Sequence, residues 1–258
     1  MTTPDPQKRW LVDQLPVELY ASNEELGQAA ANKAQQILRE TIDKKGFANL
    51  ILATGNSQLT FLKALRSLGD VDWQKVRIFH MDEYIGINPS HPASFPLFLE
   101  NHFLQFTNPG HFHPIPSEPS DVDSACKAYE ALLRQHPADL VAMGWGENGH
   151  IAFNDPPDAH FEDLHWVKVV DLAEESQRQQ VGEGHFTSLD EVPKQAITLT
   201  IPALLSPVHI LCIVPEARKA SAVKACLSEP VDESRPGSIL RTVSHATLLL
   251  DQDSASLL

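Results

Sequence analysis

The sequence lacks long apolar runs, has few cysteines and carries no apolar leader. No stretch approaches the ~18 uninterrupted apolar residues of a membrane-spanning helix, and Met1 to Trp10 holds no apolar signal segment. The three cysteines, Cys126, Cys212 and Cys226, are odd in number and lack metal-ligand spacing, which predicts buried free thiols in a reducing compartment. These absences predict a cytoplasmic protein with no membrane partner.

Basic residues are also scarce. The chain has 20 Lys and Arg against 34 Asp and Glu, a formal net charge of −14. A polyanion is not attracted to nucleic acid or to anionic lipid, so neither is expected as a partner. An anionic ligand would have to be held by donors placed locally around it. The sequence predicts no particular oligomeric state.

Strand-like and helix-like segments alternate through the 258 residues. This alternation predicts one α/β domain over 1–258, with a doubly wound, mostly parallel sheet and helices on both faces, a modified Rossmann-like fold. A polar stretch at about 173–193 has no core periodicity and is predicted to be a mobile lid. Strands are predicted at 17–20, 49–53, 76–81, 139–143, 167–170, 196–199, 208–214 and 246–250. Helices are predicted from Ser22 or Asn23 to Gly46, from 59 through 65, at 95–103 and 124–134, from Pro202, and at 216–227 and 253–258.

A glycine-rich loop from Gly144 to Pro156 follows the predicted strand at 139–143. Glycines cost backbone entropy and pack no side chain, so Gly144, Gly146 and Gly149 fit a loop whose backbone approaches a ligand. The same loop carries Asn148, His150 and Asp155, and the carboxyl ends of parallel strands are where ligands bind. The alternative is a glycine-rich turn with one exposed histidine.

A second loop, Thr54-Gly55-Asn56-Ser57, joins a strand to a helix. Free N–H groups and the helix dipole at such a junction form an anion site. The dinucleotide and P-loop patterns are both absent, so one phosphate on a small molecule fits better. An ordinary strand–helix turn with capping residues is the alternative.

Two adjacent carboxylates, Asp82 and Glu83, follow the strand at 76–81. Neighbours on an extended segment point to opposite sides, so only one of them can face a ligand. That one could act as a general base on a carbon beside a carbonyl. A solvated strand end is the alternative.

With these three loops in this order, the chain resembles the glucosamine-6-phosphate deaminase (isomerase) family. The resemblance implies conversion of glucosamine 6-phosphate to fructose 6-phosphate and ammonia, with no metal or other cofactor. Tyr84 and Asn154 favour this family over the related 6-phosphogluconolactonases, although the family more often has Glu where this chain has Asp155. The motifs that carry the resemblance are Met81–Gly86, His91–Phe95, Gly144–Pro156, Val192–Thr198 and Arg218–Ala220.

The resemblance also implies roles. Asp82 would move a proton between C2 and C1 of the sugar, and His150, oriented by Asn148 and Asp155, would open the ring. The resemblance and the loop chemistry together predict the following substrate-binding residues: Thr54, Gly55, Asn56, Ser57, Glu83, Gly144, Gly146, Arg178 and Lys219.

Two rival functions remain open. One is a lactone hydrolase that uses His150 to activate water on a sugar-phosphate lactone. The other is a sugar-phosphate sensor without turnover, although binding alone requires neither Asp82 nor His150. A metal site is not predicted, because His111 and His113 lack an accompanying carboxylate–histidine signature.

Overall fold

The computed structural model describes residues 3–156 and 158–258. The strands are β1 (Lys8–Val12), β2 (Leu15–Tyr20), β3 (Ala48–Leu52), β4 (Val76–His80), β5 (Asp82–Tyr84), β6 (His111–His113), β7 (Leu140–Met143), β8 (Val167–Asp171), β9 (Gln195–Leu199), β10 (His209–Val214) and β11 (Ala246–Asp251). The α-helices are α1 (Asn23–Lys45), α2 (Leu59–Ser67), α3 (Phe95–Leu99), α4 (Gln105–Thr107), α5 (Val122–Gln135), α6 (Glu174–Gly182), α7 (Ile201–Leu205) and α8 (Ala220–Ser228).

The main sheet has eight strands in the order β1-β2-β11-β10-β7-β3-β4-β6. Its pairs are parallel apart from the antiparallel pair of β1 and β2 at one edge. From β3 the chain adds β4 and β6 on one side, then returns to add β7, β10 and β11 on the other. The strand order therefore reverses between β3 and β7, and such a switch point is where open α/β sheets bind ligands.

Alternate residues of the central strands pack on opposite faces of the main sheet. Leu50 and Leu52 of β3 belong to a core cluster with residues of α1 and α2. Ile51, between them, belongs to a second cluster with residues of α5 and α8. Such strands, buried on both faces, confirm the predicted mostly parallel α/β fold with helices on both sides of the sheet.

Helix α1 begins and ends where the sequence predicts. The Ser22 hydroxyl accepts a hydrogen bond from the Glu25 N–H, a cap that typically contributes about 1 kcal/mol. The helix stops at Gly46, whose φ of 81° lies in the left-handed region that glycine adopts without strain.

A second, three-stranded antiparallel sheet has the order β5-β9-β8. Only Met81 separates β5 from β4, so this small sheet begins at the carboxyl end of the main one. In β5, Asp82 pairs with Thr198 and Glu83 with Ile197 of β9. The pairing fixes the backbone of both carboxylates at the edge of the switch point.

Several sequence predictions need correction. The predicted closing helix at 253–258 is wrong, because residues 252–257 form turns. Strands β1, β5 and β6 were not predicted, and β8 and β9 belong to the second sheet. The helix predicted at 95–103 continues through a π-turn at Glu100–Leu104 into α4. In residues 3–156 and 158–258, no helix combines the length and apolar character needed to cross a bilayer.

Candidate active site

A cleft lies at the switch point between β3 and β7. Clefts at such switch points are where α/β folds bind small-molecule ligands. Eight of the residues predicted from the sequence as site residues line it: Thr54, Gly55, Ser57, Asp82, Gly144, Gly146, His150 and Lys219. Loops that are distant in the sequence therefore meet at one point because the parallel strands end together.

Asp82 and Glu83 point to opposite sides of β5, as the sequence predicts. Asp82 lines the cleft, whereas Glu83 is fully buried behind it. Glu83 accepts hydrogen bonds from the Ser94 hydroxyl at 2.8 Å and from the N–H groups of Tyr84 and Phe95 at 2.8 and 3.2 Å. These three donors leave Glu83 as a fixed carboxylate neighbour of Asp82, away from the cleft.

The buried position of Asp82 makes it a stronger base than an ordinary aspartate. Burial, and after it the charge of Glu83, raises the pKa of the Asp82 carboxyl to about 8. Burial also raises the pKa of Glu83, against its three hydrogen bonds. A carboxylate that takes up a proton near neutral pH is suited to general acid–base chemistry.

His150 lies on the opposite loop with a polar network behind its ring. Its Nδ1 is 2.9 Å from Asp155 Oδ1 and 2.8 Å from Asn148 Oδ1, and the Asn148 amide donates to Asp155 Oδ1 at 2.7 Å. Asp155 is buried, yet the charge of His150 and hydrogen bonds from His150, Asn148 and Ser176 lower its pKa to about 2. An ionised Asp155 favours the tautomer with the proton on Nδ1, which leaves Nε2 able to accept a proton.

Ser176 of α6 completes this network, and the sequence did not single it out. Its hydroxyl donates to Asp155 Oδ2 at 2.7 Å and lies 3.3 Å from His150 Nδ1. Ser176 is itself buried, with 1% of its surface exposed. The network behind the imidazole is thus partly built by the segment predicted as a lid.

The loop that carries His150 is held against β9. The Asn154 amide donates to the carbonyl oxygens of Ile151 and Leu199, both at 2.8 Å, and the Phe153 N–H donates to the Thr198 hydroxyl at 3.1 Å. Asn154 is one of the two residues that favour the deaminase family over the lactonases. Its two hydrogen bonds hold this loop against β9.

Gly146 packs directly against the imidazole. A Cβ at Gly146 would lie 2.1–2.3 Å from three atoms of the His150 ring. Because a displacement of about 1 Å at a reacting group costs roughly 100-fold in rate, we expect Gly146→Ala to lower kcat/KM by about that factor. Gly69→Ala is the control, since no atom lies within 4 Å of its added Cβ. Equal kcat/KM in the Gly146 and Gly69 variants would show that the ring position is unimportant.

The loop Thr54–Ser57, the predicted anion loop, opens onto the cleft. Gly55 adopts a φ of 94°, which a residue with a side chain rarely does, and a 3-10 helix, Asn56–Gln58, follows it. Lys219, at the start of α8, lines the same part of the cleft with only 2% of its surface exposed. Burial lowers the pKa of Lys219 to about 8, although the charge of Glu183 opposes that shift.

Three residues predicted to bind the substrate do not line the cleft. Arg178 lies on the outer side of α6, with 68% of its side chain exposed, and pairs with Glu174. Asn56 donates from its amide to the Glu183 carbonyl oxygen at 3.2 Å, and Glu83 is buried behind β5. Arg178 and Glu83 thus lie away from the cleft in this structure, their contact with the substrate stays a prediction, and Asn56 contacts the segment 173–193.

The same segment supplies cleft residues that the sequence did not identify. Gln179, Gln180 and Glu183 line the cleft from α6 and its carboxyl end, and Gln58 lines it from the anion loop. The one sequence feature that points to these residues is the composition of the predicted lid, which is rich in polar residues and has no apolar face. Buried Ser176 and Gln180 explain this pattern, because α6 turns polar side chains toward the cleft.

Some polar atoms on the cleft wall have no hydrogen-bond partner within the described residues. They are Gln58 Oε1, Gln180 Oε1 and Trp145 Nε1, and each is buried. Buried polar groups are nearly always satisfied in folded proteins. Trp145 Nε1 faces Gly237, where an added Cβ would lie 2.7 Å from it, whereas the two glutamine oxygens belong to side chains that line the cleft.

Asp82, His150 and the loop Thr54–Ser57 meet at one cleft at the carboxyl ends of the strands, which is where α/β enzymes bind small molecules. The chain belongs to the glucosamine-6-phosphate isomerase/6-phosphogluconolactonase family, whose model matches residues 21–249. This match confirms the family resemblance predicted from the motifs.

Individual relatives agree with this assignment. The chain is 36% identical to glucosamine-6-phosphate deaminase 2 of Bacillus subtilis (strain 168) over 85% of this chain and 89% of the relative. A solved structure of a monomeric glucosamine-6-phosphate deaminase matches with a TM-score of 0.85 and 30% identity, covering 94% of this chain and 99% of that one. The 6-phosphogluconolactonase of Trypanosoma brucei has a TM-score of 0.76 at 18% identity, covering 94% and 98%, which is a likeness of fold alone.

Proposed function

We propose that the protein is an amino sugar phosphate isomerase and deaminase, which converts glucosamine 6-phosphate and water to fructose 6-phosphate and ammonia. The observation that carries the proposal is the placement of Asp82, His150 and the anion loop around a single cleft. The deaminase relatives, similar over most of the chain, support the same activity. The three cysteines are buried and free, which fits the predicted cytoplasmic location.

The phosphate binds at the anion loop. Backbone N–H groups after Gly55, the hydroxyls of Thr54 and Ser57, and the Lys219 ammonium supply donors at one end of the cleft. Binding energy gathered there, far from the reacting carbons, holds the sugar in a reactive position.

Ring opening uses His150. With the Nδ1 proton directed to Asp155 and Asn148, Nε2 takes the proton from the anomeric hydroxyl and delivers it to the ring oxygen as the C1–O5 bond breaks. The product of this step is an open-chain sugar with an aldehyde at C1, which makes the C2 proton acidic.

Isomerisation and deamination use Asp82. Its carboxylate takes the C2 proton while O1 takes a proton from the C2 ammonium group, giving an enol between C1 and C2, and the carboxyl group then returns its proton to C1. The electron pair of the double bond forms the new C1–H bond, and the lone pair of the C2 nitrogen forms a protonated imine. Water adds to that imine, and ammonia leaves as the C2 ketone forms.

Loss of the Lys219 charge should weaken binding of the phosphate. We expect Lys219→Ala to raise the KM for glucosamine 6-phosphate about 10- to 100-fold, the usual range for a lost charged hydrogen bond. Binding of unphosphorylated glucosamine should not change. Lys224→Ala, an exposed lysine on the same helix, is the matched control. Equal losses for the two sugars would show that Lys219 does not contact the phosphate.

The rate should depend steeply on pH around 8. Asp82 accepts a proton only when ionised, so kcat/KM should rise with pH and reach half of its limit near pH 8, where the raised pKa of Asp82 lies. Above this pH, Lys219, with its pKa lowered to about 8, loses its charge and phosphate binding weakens. The profile of kcat/KM against pH should therefore be a narrow bell.

Lys219→Ala provides the control for this profile, because it should remove the alkaline limb and keep the acid limb. An acid limb centred near pH 4, the ordinary range of an aspartate, would contradict the assignment of Asp82 as the base.

Substrate comparison tests the proposed function against the lactone hydrolase. We expect a measurable kcat/KM for glucosamine 6-phosphate. The rate is measured as the release of ammonia and of ketose phosphate. Galactosamine 6-phosphate, which differs only at C4, tests the choice of amino sugar. Hydrolysis of 6-phosphogluconolactone without turnover of either amino sugar would establish the lactone hydrolase instead, and binding of all three without reaction would indicate a sensor.

A further inference from the structure

The anion end of the cleft already contains a carboxylate of the protein itself. Glu183, just after α6, lines the cleft with 5% of its side chain exposed. Its Oε1 accepts hydrogen bonds from Arg218 Nη1 at 2.7 Å and from Gln179 Nε2 at 2.8 Å. Its Oε2 lies 3.9 Å from the position that a Cβ on Gly55 would occupy, so the carboxylate faces the anion loop.

The surroundings of Glu183 are those of a bound anion. His185 Nε2 lies 3.3 Å from Oε2, and the neighbouring residue of Arg218 is Lys219. Burial opposes ionisation, but the hydrogen bond from His185 and the charges of Arg218 and Lys219 lower the pKa of Glu183 to about 2. The group is therefore negative throughout the range in which enzymes work.

A phosphate in the anion loop would meet this charge directly. Lys219 and Arg218 would then be shared between the phosphate and the Glu183 carboxylate. Two negative charges side by side in a buried site repel strongly. Glu183 is also part of the segment 173–193, which is tied to the rest of the cleft at a few points. The Asn56 amide donates to the Glu183 carbonyl oxygen, and the Glu147 N–H donates to Gln179 Oε1 at 3.2 Å.

We infer that Glu183 is an internal substitute for the substrate phosphate, which the phosphate must displace from the anion subsite before the sugar can bind productively. The inference rests on the proposed function, because it concerns the same subsite. Displacement breaks the contacts of Glu183 with Arg218 and Gln179, so phosphate recognition is coupled to movement of the segment after α6. A phosphate dianion competes for these donors better than a carboxylate, and the site therefore selects phosphorylated sugars over sugar acids.

The test uses inorganic phosphate as the ligand and isothermal calorimetry as the readout. We expect Glu183→Gln to bind phosphate about tenfold or more tightly than the wild type, because a repelling charge is removed and Arg218 loses one of its three carboxylate partners, the others being Glu147 and Glu216. Glu174→Gln is the matched control, since Glu174 lies on the same helix with 64% of its side chain exposed and pairs only with Arg178 among the described residues. Its phosphate affinity should be unchanged.

A second variant and a second measurement test the inference even if the glutamine in Glu183→Gln disturbs the segment after α6. Glu183→Ala should also bind phosphate more tightly, and amide hydrogen exchange over residues 174–186 of the wild type should become faster on saturation with phosphate. Unchanged or weaker phosphate binding in both variants, or unchanged exchange, would overturn the inference.

The outcome also separates this inference from the proposed phosphate site. If Lys219→Ala weakens phosphate binding while Glu183→Gln does not strengthen it, the site stands and only the role of Glu183 is wrong. If Lys219→Ala leaves the affinity for phosphate unchanged, the phosphate site itself is misplaced.

Discussion

Asp82→Asn should reduce turnover of glucosamine 6-phosphate by about 1,000-fold, within the range that one general base contributes. An amide keeps the shape of the side chain but cannot accept the C2 proton. Asp82 lines the cleft at the start of β5, where its pairing with Thr198 fixes the backbone, so the substitution should not move its neighbours. Turnover is measured as the release of ammonia. Mass spectrometry checks that the new Asn side chain has not deamidated back to Asp.

Binding separates a chemical role of Asp82 from a structural one. The open-chain analogue 2-amino-2-deoxyglucitol 6-phosphate should bind the Asn variant as tightly as the wild type. Asp139→Asn is the matched control, because Asp139 is equally buried but lies at the amino end of the sheet, where it accepts from the Asn49 N–H. That variant should lose stability and keep its kcat. More than a tenth of wild-type turnover in Asp82→Asn would reject Asp82 as the base.

His150→Gln should lower turnover of the cyclic substrate about 100-fold or more, because ring opening loses its base. The open-chain form that arises without catalysis should still react, since Asp82 is intact. At high enzyme concentration the rate should therefore reach a ceiling set by spontaneous ring opening, a ceiling that the wild type does not show. Rates are measured as ammonia release at increasing enzyme concentration.

His160→Gln is the control for this prediction, since the His160 side chain is 56% exposed at the surface. The wild type, His150→Gln and His160→Gln should bind the open-chain analogue with equal affinity. If His150→Gln turns over the cyclic sugar at the wild-type rate, the network of Asn148, Asp155 and Ser176 has a purely structural role.

The parts of the site that the sequence predicts are those encoded locally. Glycine spacing and a preceding apolar strand were enough to place His150 and the anion loop at the carboxyl ends of parallel strands. Alternation along an extended segment was enough to predict that only one of Asp82 and Glu83 faces the cleft, and the choice of Asp82 came from the family resemblance. In each case the side-chain direction follows from the backbone within a few residues.

Contacts that depend on tertiary packing could not be predicted in this way. Ser176 lies on a polar helix without an apolar periodicity and Glu183 lies just after it, so nothing in their local sequence shows that the fold buries them. Arg178 has the charge expected of a phosphate ligand, but it lies on the outer face of α6, where it is exposed to solvent and pairs with Glu174. Strand β6 has only three residues, and its pairing with β4 depends on a distant partner.

The most direct test of the proposed activity is the stoichiometry of the reaction. Glucosamine 6-phosphate labelled with ¹³C at C2 and with ¹⁵N is incubated with the wild-type protein and followed by NMR, with Asp82→Asn as the blank. We expect the C2 signal to move to that of the fructose 6-phosphate anomeric carbon while an equal amount of labelled ammonium appears. Unchanged labelled substrate under conditions in which 6-phosphogluconolactone is hydrolysed would contradict the account.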